Sequence, residues 1–115
     1  MSREEKVAVV EAYLGGLRSK DLSNVPFAED ITCEGPLMPK LAGRDTVVGF
    51  LTSMVLPAVK GVQVKQHIVE GEYVATVFDL ETTQGVLRVV DLLHVPEGEL
   101  KKIQTFYYPQ TTTNV

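Results

Sequence analysis

The chain has 115 residues, 44% of them apolar and 23% charged, a mixture that supports one globular core and excludes a disordered polymer. A net charge of −4 and a pI near 5.1 argue against nucleic acid or anionic lipid as partners, since both attract clustered Lys and Arg. Mean hydropathy is only +0.07, and no segment approaches the roughly 20 apolar residues of a membrane span, so no membrane partner is expected. Cys33 is the sole cysteine and the two histidines stand far apart, so no disulfide, metal or cofactor is expected, and a reducing cytoplasm fits.

The first element is a helix. Ser2 followed by Glu5 has the form of a capping box, and Val7, Val10, Leu14 and Leu17 recur on one helical stripe. Gly15 and Gly16 inside it each cost about 1 kcal/mol relative to Ala, which points either to another backbone packed closely there or to early fraying. A turn or short helix at Asp21-Leu22-Ser23-Asn24 leads to a brief strand from Ile31 to Glu34. The segment Gly35 to Gly43 reads as a loop by its Gly and Pro, and its Leu37, Met38 and Leu41 suit either a pocket wall or packing over the edge of the core. A second helix runs from about Arg44 to Leu56, with Val47, Phe50, Leu51, Met54 and Val55 on a wide apolar face that stops at Pro57.

The remainder reads as sheet. Val62 to Val69, Tyr73 to Thr82, Val86 to Val95 and Leu100 to Tyr108 are rich in β-branched and aromatic residues and are joined by hairpin connections, which predicts an antiparallel meander. Residues 1–109 form one α+β domain and residues 110–115 a flexible tail with little to bury. Seven of the ten residues from Val86 to Val95 are apolar, too many for a sheet with one dry face. The outer face is covered by a second copy in a two-fold homodimer, or it is an ordinary partly exposed apolar face.

Asp91 lies in the middle of this greasy strand. Alternation places Leu87, Val89, Leu93 and Val95 on its side, and Arg88 and His94 on the other, so Arg88 is poorly placed to neutralise it. A lone charge there is costly, so the carboxyl is hydrogen-bonded, partnered from elsewhere, or protonated with a raised pKa. Tyr13 lies at the edge of the first helix's stripe, roughly 60° from its centre, where its ring is buried and its hydroxyl can reach a cavity. His94 reads as solvent-facing or a dimer contact, His67 as a surface residue by its alternation with Lys65 and Gln63, and Cys33 as a small buried hydrophobe near the pocket rim.

Three strings carry a family resemblance: Ala12-Tyr13-Leu14-Gly15-Gly16-Leu17-Arg18-Ser19-Lys20-Asp21-Leu22, Ala42-Gly43-Arg44-Asp45, and Ile103-Gln104-Thr105-Phe106-Tyr107-Tyr108-Pro109. In this order they resemble the nuclear transport factor 2-like superfamily, which includes SnoaL-like polyketide cyclases, ketosteroid isomerases and limonene epoxide hydrolases. The resemblance covers nearly the whole chain. It implies a cone-shaped, strongly curved antiparallel sheet wrapped around the N-terminal helices, a cystatin-like α+β roll with an internal pocket. It also implies frequent dimerisation through the convex face.

The resemblance further implies that Asp91 and Tyr13 look like the oxyanion-holding pair of the isomerases, the alternative being a structural hydrogen bond between the two. Those isomerases carry a general base just before a Pro on the first short strand. Here Gly35 precedes Pro36, so the base is absent or is Glu34, shifted by one residue and turned by alternation toward the other face. Arg88 and Asp91 only loosely echo the epoxide hydrolases.

Two functions remain open. One is an acid/base isomerase or cyclase acting on a small hydrophobic carbonyl compound, with Asp91, Tyr13 and Glu34 catalytic. The other is a non-catalytic ligand-binding or dimerisation module. In both, a small hydrophobic molecule contacts candidates Phe50, Met54, Met38, Leu93 and Phe106.

Overall fold

The computed structural model describes residues 1–36 and 38–110. Helix α1 (Arg3–Ser19) starts with the expected capping box: the Ser2 hydroxyl accepts from the Glu5 amide at 3.1 Å, and the Glu5 carboxylate accepts from the Ser2 amide at 3.0 Å. Its stripe of Val10, Leu14 and Leu17 is fully buried. The helix does not fray at the two glycines. Lys20 closes it in the left-handed conformation, and the backbone oxygen of Asp21 comes within 3.0 Å of where a Gly16 Cβ would stand. Gly15 has no such neighbour.

Strand β1 (Phe27–Glu34) starts four residues earlier than expected. A two-residue strand β2 (Leu41–Ala42) interrupts the expected loop and pairs back onto Thr32 and Cys33. The second helix is shorter than its apolar stripe. Helix α2 (Arg44–Phe50) gives way to a π-helical turn at Leu51–Val55 and a 3₁₀ turn at Leu56–Ala58. The Ser53 hydroxyl donates to the Gly49 carbonyl at 2.8 Å, competing with the backbone ladder, and Pro57 has no amide to continue it. The apolar period is nearly unchanged by one wider turn, which is why the sequence reads as a single helix.

Strands β3 (Val59–Glu70), β4 (Tyr73–Thr82), β5 (Gly85–His94) and β6 (Leu100–Pro109) form the antiparallel meander. The sheet order is β2-β1-β6-β5-β4-β3, with β1 joined to β6 in parallel. Register shifts in β1 and two in β3 bend the sheet, and α1 lies in the curve. This is the expected α+β architecture: a curved, unclosed sheet around N-terminal helices.

The shift between Val64 and Gln66 also overturns the reading of His67. One extra residue reverses its parity, so its side chain turns inward and is only 12% exposed. At the C-terminus, the Gln110 amide bonds the Val86 carbonyl at 2.9 Å and its side chain donates to Asp79 at 2.7 Å. Residues 111–115 of the expected tail lie outside the described residues. On the convex face, Ile68 and Phe106 are half exposed beside the partly buried Val77, Val90 and Leu92.

The two glycines of α1 yield an expectation of opposite signs. Gly15→Ala gains about 1 kcal/mol in stability from helix propensity. Gly16→Ala loses stability, because the added methyl meets Asp21 O, Leu22 and Val25 at 3.0 Å. Urea denaturation of both variants checks this, and equal shifts in one direction would contradict it.

Candidate functional site

Strand alternation puts Leu87, Val89, Asp91 and Leu93 of β5 on the concave face, each alternate residue being more exposed. Pairing carries the same face across the sheet to Phe78 and Val74 of β4 and to Tyr107, Thr105 and Ile103 of β6. Helix α1 covers one part of this concavity, and the turns after α2 wall another. Between them lies a cavity of about 440 Å³, large enough for a small organic molecule. Its walls are mostly apolar, with Leu51, Val59, Phe78 and Val89 among them.

Asp91 and Tyr13 both line this cavity. Asp91 is 2% exposed, and its Oδ1 has no hydrogen-bond partner among the described residues. Burial pushes its pKa up to about 7, opposed only by the neighbouring Thr105 hydroxyl. Tyr13 packs its ring edge-on against Phe27, with centroids 6.3 Å apart. Burial first, and then the nearby Asp91 carboxylate, push its pKa well above the ordinary tyrosine value, so the phenol keeps its proton and stays a donor. Cys33 also lines the cavity; burial, then Asp91 and Glu34, push its thiol up to about 11, which removes it as a nucleophile near neutrality.

Of the candidate ligand contacts, Phe50, Met54 and Met38 line the cavity, and Met54 is 66% exposed. Three other candidates do not. Glu34 alternates with Cys33 and pairs with Gln104, outside the cavity, in a shallow depression beside Lys40 and Phe106. Leu93 is fully buried in the core beyond the cavity wall. Phe106 shares the convex face with Val90; its neighbours Thr105 and Tyr107 are the ones that face inward. Parity in β6 would have found Thr105 and Tyr107, whereas aromatic type alone selected Phe106. Leu37 lies outside the described residues, but Pro36 and Met38 on either side of it line the cavity. His94 stays on the outer side, bonded to Glu72 at 2.9 Å and stacked on Tyr73. Among the described residues, no group of His, Cys, Asp and Glu could hold a metal ion. No helix among them is long and apolar enough to cross a membrane.

The fold is nuclear transport factor 2-like, as comparison with solved structures bears out. The chain is similar to an NTF-2 like protein of unknown function from Burkholderia xenovorans LB400, with 13% identity, a TM-score of 0.83, and coverage of 96% of this chain and 88% of that one. It is similar to a steroid delta-isomerase from Pseudomonas aeruginosa, with 19% identity, a TM-score of 0.76, and coverage of 92% and 81%. It is also similar to a putative SnoaL-like polyketide cyclase from Jannaschia sp. CCS1, with 14% identity, a TM-score of 0.79, and coverage of 93% and 89%. At these identities the likeness is one of fold. No curated protein matches the sequence significantly. A family model matches residues 1–114, and the chain therefore belongs to the family described as a domain of unknown function (DUF4904).

Proposed function

We propose that this protein is an acid/base isomerase or cyclase acting on a small hydrophobic carbonyl compound held in the cavity, with Asp91 as its proton-transferring group and Tyr13 as its oxyanion donor. The observation that carries this reading is a buried carboxyl, with one oxygen free of partners among the described residues, facing a mostly apolar cavity of about 440 Å³. A titration midpoint of about 7 leaves both its charged and neutral forms populated near neutrality, which suits a group that takes a proton and gives it back.

Glu34 is outside the cavity, so the roles expected from the resemblance are reassigned. The Asp91 carboxylate removes a proton from carbon next to the ligand's carbonyl, and the electron pair of that bond moves into an enolate. The Tyr13 phenol donates a hydrogen bond to the enolate oxygen. Asp91 then returns its proton, to a more distant carbon in an isomerisation. In a cyclisation the enolate carbon attacks a second carbonyl, and Asp91 protonates the resulting alkoxide. One carboxyl suffices in either case, and apolar walls exclude competing water.

The second reading is a binding pocket without chemistry, favoured by the presence of a single carboxylate among the described cavity-lining residues. Deuterium exchange separates the two. A panel of cyclic and polyketide-like ketones in D₂O is expected to exchange protons next to the carbonyl at a rate raised by the protein. Asp91→Asn is expected to lower that rate by at least about 100-fold, the usual contribution of a positioned acid or base. Ligands that raise the melting temperature of the wild type without any accelerated exchange would establish the binding reading instead.

We also infer that a second copy covers the convex face, where Ile68, Val77, Val90, Leu92 and Phe106 form an apolar patch. Sedimentation at micromolar concentration is expected to give a dimer, and Phe106→Asp a monomer. A monomeric wild type would overturn this.

A further inference from the structure

The concave face carries one polar row. His67 pairs with Thr76, Thr76 with Asp91, and Asp91 with Thr105. The flanking rows are apolar or aromatic: Val69, Val74, Leu93 and Ile103 lie on one side, and Val64, Phe78, Val89 and Tyr107 on the other. Asp91 therefore has a threonine directly opposite it on each neighbouring strand, the position from which cross-strand side chains meet. The two threonines are not equivalent.

Thr76, on β4, is fully buried and does not line the cavity. Its hydroxyl lies 2.8 Å from His67 Nδ1, and His67 Nε2 lies 3.0 Å from the Glu11 carboxylate on α1. A carboxylate only accepts, so Nε2 carries the proton of the neutral ring, Nδ1 is the acceptor, and Thr76 gives its one hydroxyl proton to it. That chain of bonds ends at Thr76.

Thr105, on β6, lines the cavity together with Asp91. Its hydroxyl hydrogen-bonds the Asp91 carboxylate and favours the charged form against the effect of burial. Oδ1 has no partner among the described residues, so Thr105 holds the carboxylate by its other oxygen. Thr105 is itself restrained. It is β-branched and stiff at its first side-chain torsion, and the backbone of Gly35 passes so close that a Cβ there would stand 3.5 Å from the Thr105 Cβ.

We propose that Thr105 is the positioning residue of the site: its hydroxyl holds one oxygen of the Asp91 carboxylate and leaves the other to take the ligand's proton, while Thr76 is committed to His67. The catalytic consequence rests on the acid/base reading above; the hydrogen bond is tested by titration with no ligand present.

The other titratable and charged groups around Asp91 are accounted for. Tyr13 of α1 and Cys33 of β1 face it, and burial keeps both neutral near pH 7. His67 and Glu11 are bonded to each other beyond Thr76. Glu34 lies in the outer depression. Arg88 and His94 point to the convex side, bonded to Asp79 and Glu72.

The test follows the Asp91 carboxyl by carbon NMR across pH. Thr105→Val, nearly the same shape without the hydroxyl, is expected to raise the midpoint from about 7 by about half a unit or more. Thr105→Ser keeps the hydroxyl and is expected to retain the wild-type midpoint, as is Thr76→Val. Thr105→Ala is expected to give the same rise as Thr105→Val, and decides the question where Val disturbs packing. In the ketone exchange, Thr105→Val is expected to be about 10-fold slower even at a pH where Asp91 is charged in every chain, because the carboxylate is no longer held in place. An unchanged midpoint in Thr105→Val and Thr105→Ala would overturn the proposal. So would an equal rise in Thr105→Ser, which would implicate the lost methyl, or in Thr76→Val, which would implicate burial in general. Absence of exchange in every chain would overturn the acid/base reading and leave the titration result standing.

Discussion

The seating of α1 in the bent sheet is the contact on which the rest of the molecule depends. Val10, Leu14 and Leu17 are each removed from water, contributing about 1.5–3 kcal/mol apiece, and this burial requires the sheet to curve. The bulges of β3 and the irregular pairing of β1 with β6 allow that curvature. A helix fills a curved sheet only along its own length. The part it leaves open, walled by α2 and the turns that follow it, is the cavity.

The same contact decides the electrostatics. Tyr13 is carried to the cavity by the edge of the α1 stripe, and Glu11, two residues earlier, is carried to the rim of β3. One helix thus supplies Tyr13 to the cavity and Glu11 to the His67 ring on β3. Asp91 lies on the sheet below, in a line of polar side chains bounded by apolar rows. The π turn after α2 belongs to this arrangement as well: Leu51, Met54 and Val55 on it all line the cavity.

Much of this was legible in the sequence, for reasons that can be stated residue by residue. The capping box at Ser2 and Glu5, the stripe through Leu14, and the parity that puts Asp91 with Val89 and Leu93 all rest on fixed local periods. Glu34 was kept as a catalytic candidate even though a one-residue shift turns it by alternation toward the other face, and the structure places it outside the cavity. What could not be read were events that change the period. The bulge at Val64–Gln66 reverses the face of His67, and no Gly or Pro marks it. The parallel pairing of β1 with β6 and the small strand β2 depend on contacts far apart in the chain. The helix–π transition is hidden because its apolar stripe continues through it.

The central claim is that Asp91 is buried in the cavity floor and holds its proton there well above the usual carboxylate range. Its folded pKa, about 7, exceeds the unfolded value of 3.8, so the folded state binds more protons between those limits. Stability from this group is therefore full at the acid end and is lost as pH rises through about 4 to 7, by a few kcal/mol at roughly 1.4 per unit. Urea unfolding of the wild type and of Asp91→Asn across that window tests it directly. The wild type is expected to lose stability relative to the Asn chain as pH rises. Parallel curves, or a relative gain, would contradict the account.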